Sequence, residues 1–170
     1  AIHLKNANLL LEAERFLYEA KTVTDDKRII SLIYYQLGSV YSKNDKIALS
    51  IEYYIKAKAL FDENLNYIRS LYSCSNIAVT YIYSKAYIEA ADACNECITI
   101  AERLSLDNVI MINAYNLSYI YMITENYTKV NKYVELCLQH GIPDNGIYFH
   151  NAYSYFKLRK LSSCIYWIGE

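Results

Sequence analysis

Hydrophobic residues recur along this chain with the spacing of amphipathic helices. The first clear stripe follows the i, i+4, i+7, i+11 pattern and consists of Ile30, Tyr34, Leu37 and Tyr41. After the polar break SKND a second stripe follows, formed by Ile47, Ile51, Tyr54 and Lys58. Equivalent breaks are SKA at 84–86, TEN at 124–126 and KLRK at 157–160. The pattern predicts nine helices, a leading helix from about Leu4 to Thr22 followed by four antiparallel pairs.

The helix pairs repeat along the chain at an interval of 40 residues. The motif Leu-Gly-x-x-Tyr at 37–41 returns in later repeats as Ile77, Ala78 and Tyr81, as Leu117, Ser118 and Tyr121, and more weakly as Ala152 and Tyr155. A fixed interval in this range is typical of solenoid proteins. We therefore predict a single all-α repeat domain over 1–170, with a leading helix at 1–24 and repeats at 25–66, 67–106, 107–144 and 145–170.

The small residue in this motif predicts close packing between helices. Gly38, Ala78, Ser118 and Ala152 recur where the two helices of one hairpin should meet, and a larger side chain there would push the helices apart. The tyrosines three residues later are expected to fill the groove between that hairpin and the next. This packing would account for part of the 20 Tyr in the chain.

Composition and charge narrow the classes of protein to which the chain can belong. It has 170 residues, 54% hydrophobic and 21% charged, which is enough for a packed core, and its four Gly and one Pro are few for an all-β fold. A net charge of −1 offers no basic surface for nucleic acid. No apolar run is long enough to cross a membrane, and five Cys without framework spacing favour a reducing compartment. We therefore expect a cytoplasmic protein without a cofactor.

Both ends of the chain lie inside helical patterns. The sequence begins with Ala1 rather than Met, so we expect a piece of a longer protein. Apolar residues near the other end, Tyr166, Trp167 and Ile168, are expected to be covered by a further helix or by a second chain. This predicts self-association into a homo-oligomer such as a dimer.

The repeated motif resembles the tetratricopeptide repeat, which carries Leu-Gly-x-x-Tyr in its first helix and Ala, Phe or Tyr, and Ala in its second. The resemblance covers residues 31 to about 168 and is strongest in the first repeat, at Leu37, Gly38 and Tyr41. It implies a right-handed superhelix whose first helices line a concave face. The long repeats also resemble the C-terminal peptide-sensing domains of RRNPP-type quorum-sensing regulators of Gram-positive bacteria. This second resemblance implies a transcription regulator that binds a short signalling peptide in its concave groove.

A polar side chain occupies the same inward-facing position in successive first helices. Counted from Ser31, Leu71 and Met111, the sixth position holds Gln36, Asn76 and Asn116, and the weak fourth repeat has His150 there beside Asn151. Helices about 10 Å apart would present one such group to every third residue of an extended peptide. A carboxamide can pair with a peptide N–H and C=O at once. Other inward positions predict contacts to apolar side chains, at Tyr72, Tyr115, Tyr119, Met122, Tyr153 and Phe156.

Two interpretations of these amides remain open at this point. The resemblance implies that Asn76 and Asn116 hold the backbone of the peptide, because groove asparagines do so in the regulator family. Alternatively, the amides cap or bridge helices within the scaffold, as buried polar groups generally find internal partners. The sequence does not distinguish these possibilities.

Evidence for an enzyme is thin. His3, His140 and His150 are scattered, and no nucleophile motif, phosphate loop or paired carboxylate accompanies them. Cys94 and Cys97 of the CNEC segment fall at packing positions of the repeat, so we interpret them as buried thiols rather than metal ligands. We predict no catalytic and no metal site. Two alternatives to the sensor remain: a generic scaffold that docks another protein, and the regulatory domain of a phosphatase or inhibitor directed at response regulators.

Overall fold

The computed structural model describes residues 2–141, 146–160 and 163–164, with side chains from residue 9 onward. In this part of the chain all regular elements are helices: α1 (Ile2–Thr22), α2 (Lys27–Lys43), α3 (Ile47–Glu63), α4 (Tyr67–Tyr83), α5 (Tyr87–Arg103), α6 (Asp107–Ile123), α7 (Tyr127–His140) and α8 (Gly146–Lys157). They belong to two compact units, Ala1–Ser84 and Lys85–Glu170. The all-α prediction is confirmed. The ninth predicted helix falls almost entirely outside the described residues.

The same short turn follows each helix from α2 to α6. These helices have 17 residues each. The middle residue of each turn has a left-handed backbone with φ between 53° and 61°, although none is glycine; these residues are Asp45, Leu65, Lys85, Ser105 and Glu125. In the turns at Asp45, Leu65, Ser105 and Glu125 the next residue donates its N–H to the carbonyl five residues earlier, as Lys46 does to Tyr41 at 2.9 Å and Leu106 to Ala101 at 3.0 Å. This is the Schellman arrangement, which satisfies a carbonyl that the helix end leaves unpaired.

Polar side chains cap the N-termini of α2, α4 and α7, whereas the N-cap residues of α3, α5 and α6 make no side-chain cap. Asp26 is the N-cap of α2, and its side chain accepts a hydrogen bond from the Arg28 N–H at 2.8 Å. The Arg28 guanidinium also binds this carboxylate, and these hydrogen bonds lower the pKa of Asp26 below its usual value. At the other end of the chain, α7 stops at His140 with Gly141 as its C-cap. A glycine therefore ends this helix, as is common at helix C-termini.

Unit Ala1–Ser84 is built around the apolar face of α2. Ile33, Leu37 and Tyr41 form one buried cluster of this unit, and Leu17 and Ala20 of α1 pack against them. Removing such side chains from water is the main favourable contribution to folding, roughly 25 cal/mol for each Å² of apolar surface buried. None of the described helices combines the length and the apolar composition that crossing a membrane would require.

Gly38 lets α2 and α3 approach closely, as the motif predicted. A Cβ atom added at Gly38 would lie only 2.8 Å from Cδ1 of Tyr54, whose ring is buried on α3. The Ser50 hydroxyl, also on α3 and fully buried, donates to the Gly38 carbonyl at 2.9 Å. The smallest side chain of the repeat therefore stands opposite one of the largest.

The prediction for the motif tyrosines needs correction. Tyr41 and Tyr121 were expected to fill the groove to the next hairpin, but both rings stack within their own hairpin. Tyr41 lies on Tyr53 of α3 with ring centroids 5.3 Å apart, and Tyr121 lies on Tyr133 of α7 at 5.4 Å. In both of these hairpins the second helix has a tyrosine opposite the motif tyrosine, so the two rings stack on each other within the hairpin. Lysines cover several tyrosines as well, such as Lys129 over Tyr121 at 4.7 Å.

Unit Lys85–Glu170 has a core of smaller side chains contributed by α5 to α8. Its buried apolar residues include Cys94, Cys97, Val109, Ile110, Leu117, Ile120, Val130, Val134, Cys137 and Ile147. The two cysteines of the CNEC segment are fully buried there. The described residues contain no group of three or more His, Cys, Asp or Glu side chains that could hold a metal ion.

Candidate functional site

The predicted site residues of unit Ala1–Ser84 lie on α2 and α4. Gln36 is exposed, and Tyr72 and Asn76 are half-buried, so a ligand in solution could reach all three side chains. The Asn76 side chain donates from Nδ2 to the Tyr35 hydroxyl at 2.8 Å. This hydrogen bond joins α4 to α2. Asn76 therefore takes part in the scaffold, as the alternative interpretation of the amides proposed.

The Tyr35 ring that receives this hydrogen bond is held between aromatic neighbours. Its centroid lies 5.6 Å from Tyr54 and 6.3 Å from Phe61, with an edge-on geometry in both pairs. Tyr54 and Phe61 are buried, and burial raises the pKa of Tyr54 to about 12. A rigid support thus positions the hydroxyl that fixes the Asn76 carboxamide.

Sequence reasoning missed the role of Tyr35. Tyr35 and Asn76 are 41 residues apart, which is one repeat interval plus one residue. Tyr35 directly precedes Gln36, the residue equivalent to Asn76 in the preceding repeat. A search for polar partners one repeat apart, with a tolerance of one residue, could have found this pair.

Asn116 occupies the equivalent position on α6 of unit Lys85–Glu170, but its environment differs. The residue is half-buried, and its Nδ2 atom is buried without a hydrogen-bond partner among the described residues. Tyr115, Tyr119 and Met122 of the same helix are half-buried as well. A buried amide donor without a partner costs roughly 1–3 kcal/mol. An acceptor from outside the unit could bind this donor if the half-buried Asn116 side chain turns Nδ2 towards solvent.

His150 and Asn151 of α8 lie in the interior of their unit. His150 is only 4% exposed, and its Nδ1 atom is 2.7 Å from the Ser118 hydroxyl of α6. Because Ser118 gives its single hydroxyl proton to the Tyr115 carbonyl at 2.7 Å, Nδ1 of His150 must carry the proton shared with Ser118. The imidazole also stacks on the Tyr115 ring at 5.1 Å. His150 therefore joins α8 to α6, as Asn76 joins α4 to α2.

Asn151 and the aromatic residues of α8 divide between the interior and the surface. Asn151 is 1% exposed, and its Oδ1 atom has no hydrogen-bond partner among the described residues. Tyr153 is half-buried and stacks on Phe149 with centroids 5.8 Å apart, whereas Phe156 is exposed. A hydrogen bond to Tyr153 raises the pKa of Lys157. Among the predicted residues of α8, Tyr153 and Phe156 are those that solvent reaches.

Comparison with known proteins identifies the fold. No family model and no curated protein matches this sequence. The apo form of RapI is similar in structure, with a TM-score of 0.87 at 16% identity over 95% of this chain. This chain spans 47% of the length of RapI. BtubC from P. vanneervenii has a TM-score of 0.82 at 15% identity, over 97% of this chain and 72% of BtubC. The chain therefore has the tetratricopeptide-like all-α fold that the sequence motif predicted.

Proposed function

We propose that this chain is the peptide-binding sensor domain of a cytoplasmic bacterial regulator, with the ligand held by amide side chains on the first helices of the repeats. The observation that carries the proposal is Asn116, whose half-buried side chain keeps a buried Nδ2 donor without a partner among the described residues. A peptide carbonyl could accept from this donor once the side chain turns towards the ligand. The fold shared with RapI, at 16% identity, supports the proposal at the level of architecture.

The surroundings of Asn116 favour an apolar peptide. Tyr119 and Met122 follow it on α6, one turn and nearly two turns along the helix, and both are half-buried. Tyr115 stacks on His150, which holds its ring in place. In this proposal Asn116 binds the peptide backbone, and Tyr115, Tyr119 and Met122 contact the apolar side chains of the peptide. His150 and Asn151 would not contact the peptide but would hold α8 against α6.

In unit Ala1–Ser84 the proposal assigns the same task to Gln36, Asn76 and Tyr72. The bond to Tyr35 uses one N–H of Asn76. A carboxamide has a second N–H and a carbonyl oxygen, so the side chain can bridge helices and still bind a peptide. The exposed Gln36 amide offers a further donor and acceptor on α2.

The test is a calorimetric titration of the protein with short apolar peptides that have free or blocked ends. We expect Asn116→Ala to weaken binding about 2- to 10-fold, which corresponds to one hydrogen bond of about 0.5–1.5 kcal/mol. The stability of the peptide-free protein should not fall, because the variant removes a donor that has no partner. The matched control is Asn108→Ala, an exposed amide on the first turn of the same helix.

A second pair of variants separates binding from support at Asn76. Tyr35→Phe removes the acceptor of the hydrogen bond but leaves the carboxamide in place. If Asn76 binds the peptide, Asn76→Ala will weaken binding more than Tyr35→Phe, although both variants lose the same bridge. Equal effects of the two variants would assign Asn76 to the scaffold alone. A folded protein that binds none of the peptides would refute the sensor and leave the docking scaffold as the better explanation.

The proposal extends to the whole regulator and to its assembly. A peptide would act by binding one conformation of the repeat domain more tightly than another, because a ligand shifts an equilibrium only by this difference in affinity. Peptide binding would then control transcription. In the alternative, where the chain is the regulatory domain of a phosphatase or inhibitor, it would control a response regulator. Self-association into a dimer is part of the proposal. Analytical ultracentrifugation showing a monomer at high micromolar concentration would contradict the dimer.

A further inference from the structure

Unit Ala1–Ser84 contains a small cavity away from the amides of the proposed peptide site. Its volume is about 140 Å³, and it lies where the start of α2, the end of α3 and the start of α4 come together. The side chains that matter for its chemistry are Arg28, Leu32, Phe61, Asn64 and Arg69. Gln36 and Asn76 do not line it.

The polar groups around this cavity include one buried side-chain donor that has no partner among the described residues. The Nδ2 atom of Asn64 is buried and has no hydrogen-bond partner among the described residues. The acceptor on the neighbouring Asn66 is already engaged, because its Oδ1 atom accepts from the Arg69 N–H at 3.3 Å. The Ser31 hydroxyl donates its only proton to the Arg28 carbonyl at 2.7 Å, so its oxygen can only accept a further hydrogen bond. A ligand acceptor could pair with Asn64 if this half-buried side chain turns its Nδ2 atom towards the cavity.

The charges near the cavity leave one cation uncompensated. Arg28 is bound to the Asp26 carboxylate at 2.9 Å, and Lys27 is bound to Glu63 at 2.8 Å. Arg69 forms no ion pair with any residue in the described part of the chain. The Arg69 side chain is exposed and can therefore pair with one negative charge on a ligand.

The walls of the cavity restrict the ligand further. Phe61 is 2% exposed and forms an apolar surface beside the donors, and Leu32, 37% exposed, lies at its rim. A singly charged carboxylate on a short aliphatic stem matches this combination: its oxygens can accept from both a guanidinium and an amide. A phosphate carries up to two charges at neutral pH and no apolar stem, so it fits less well.

We propose that this cavity binds a carboxylate on a short aliphatic stem, with Arg69 supplying the charge and Asn64 a hydrogen bond. Such a group occurs at the C-terminus of a polypeptide with an apolar last residue, and on a glutamate side chain. The site does not depend on the peptide-binding proposal, since none of the residues assigned to that site lines the cavity. It would give the chain a second point of attachment for an extended ligand or a partner protein.

The test is an NMR titration that follows the side-chain NH₂ signal of Asn64 and the Nε–H signal of Arg69. N-acetyl-leucine provides an α-carboxylate, and N-acetyl-glutamate α-amide provides a side-chain carboxylate. N-acetyl-leucinamide is the matched control, because it has the same stem without the charge. We expect saturable shifts of both signals with at least one of the two acids, and the acid with the lower Kd identifies the source. The control should produce no saturable shift.

Variants decide whether the named residues hold the ligand. Arg69→Gln should weaken binding at least about ten-fold, because it removes a charge-assisted hydrogen bond. Arg103→Gln, an exposed arginine in the last turn of α5, should have no effect. Asn64→Asp keeps the shape but replaces the donor by a negative charge and should abolish binding. If Asn64→Asp fails to fold, Arg69→Gln still shows whether Arg69 holds the ligand, because a substitution at this exposed position should not prevent folding.

Three results would overturn the proposal. They are equal shifts with N-acetyl-leucinamide, undiminished binding by Arg69→Gln, and saturable shifts of these signals with inorganic phosphate but with neither acid. The peptide titrations of Asn116→Ala give an independent answer. Failure of the carboxylate site and failure of the peptide-binding proposal can therefore be told apart.

Discussion

The contact between Gly38 and Tyr54 allows a sharp test of how the helix hairpin packs. A Cβ atom at position 38 would meet Cδ1, Cε1 and Cγ of the Tyr54 ring at 2.8–2.9 Å, closer than carbon atoms approach without displacement. Tyr54 is 4% exposed and its ring also packs against Tyr35, so the ring has little room to move. Gly38→Ala is therefore the smallest change that forces α2 and α3 apart.

Two opposing contributions set the magnitude of this effect. Replacing a glycine in a helix interior by alanine stabilises the helix by about 1 kcal/mol. Overpacking a buried contact costs roughly 1–3 kcal/mol. We therefore expect Gly38→Ala to lower the free energy of unfolding by up to about 2 kcal/mol. Gly38→Leu should lower it further, because more atoms must be accommodated.

A second substitution reverses the sign of the effect. Ser118 and Val134 stand at the positions equivalent to Gly38 and Tyr54 two repeats later, and both are fully buried. Tyr54→Val removes the ring and costs stability by itself, about 2–5 kcal/mol, because it leaves a cavity. In that background the new methyl group of Gly38→Ala has room. The alanine should then raise the free energy of unfolding by up to about 1 kcal/mol.

Urea denaturation followed by far-UV circular dichroism measures all four proteins of this cycle. We expect a coupling energy of about 1–3 kcal/mol between positions 38 and 54, as is usual for residues in contact. If Gly38→Ala stabilises the protein equally in both backgrounds, the ring does not restrict position 38. The close packing inferred for this hairpin would then be wrong.

Three further predictions concern the turns and the effect of pH on stability. Leu65→Gly should raise the free energy of unfolding by about 1 kcal/mol, because an L-residue at the left-handed φ of 56° is strained. The control is Ile68→Gly at an exposed helix position, which should lower the free energy of unfolding by about 1 kcal/mol. Burial raises the pKa of Tyr54 to about 12, so the folded protein keeps a proton that the unfolded chain loses above about pH 10. The free energy of unfolding should therefore fall by about 2–3 kcal/mol as the pH rises from about 10 to about 12. Alkaline denaturation of Tyr54→Phe should lack this component, and an unchanged pH dependence would contradict it. Since hydrogen bonds from Arg28 lower the pKa of Asp26, stability should fall as pH decreases through the pKa of the folded state, and acid titration of Asp26→Asn should show a smaller loss.

The helices could be predicted from the sequence because helical periodicity is a local property. Stripes such as Ile30, Tyr34, Leu37 and Tyr41 depend only on residues within a few turns of each other. The turns were harder to interpret. Their left-handed residue is never a glycine in the five turns from Asp45 to Glu125, so the usual signal for a helix C-terminus is missing. We therefore did not predict that the turns within hairpins and the turns between hairpins have the same geometry.

The partners of the polar side chains could not be predicted in the same way. Asn76 and Asn116 occupy the same position of the repeat, yet the first binds Tyr35 and the second keeps a donor without a partner among the described residues. His150 was predicted at an inward position, but its bond to Ser118, 32 residues away, places it in the interior. Such differences depend on which side chain the neighbouring helix presents at that height.

The amino-acid sequence alone thus determined the helical class, the repeat interval and the close approach at Gly38, because spacing and side-chain size are written into each segment. Only the tertiary structure decided which amides are bound internally, which tyrosines stack within a hairpin, and that Arg69 and Asn64 line one cavity. These properties depend on how separate helices pack against one another. A hydrogen bond or an ion pair depends on distances of a few tenths of an ångström, which the pattern of residues does not specify.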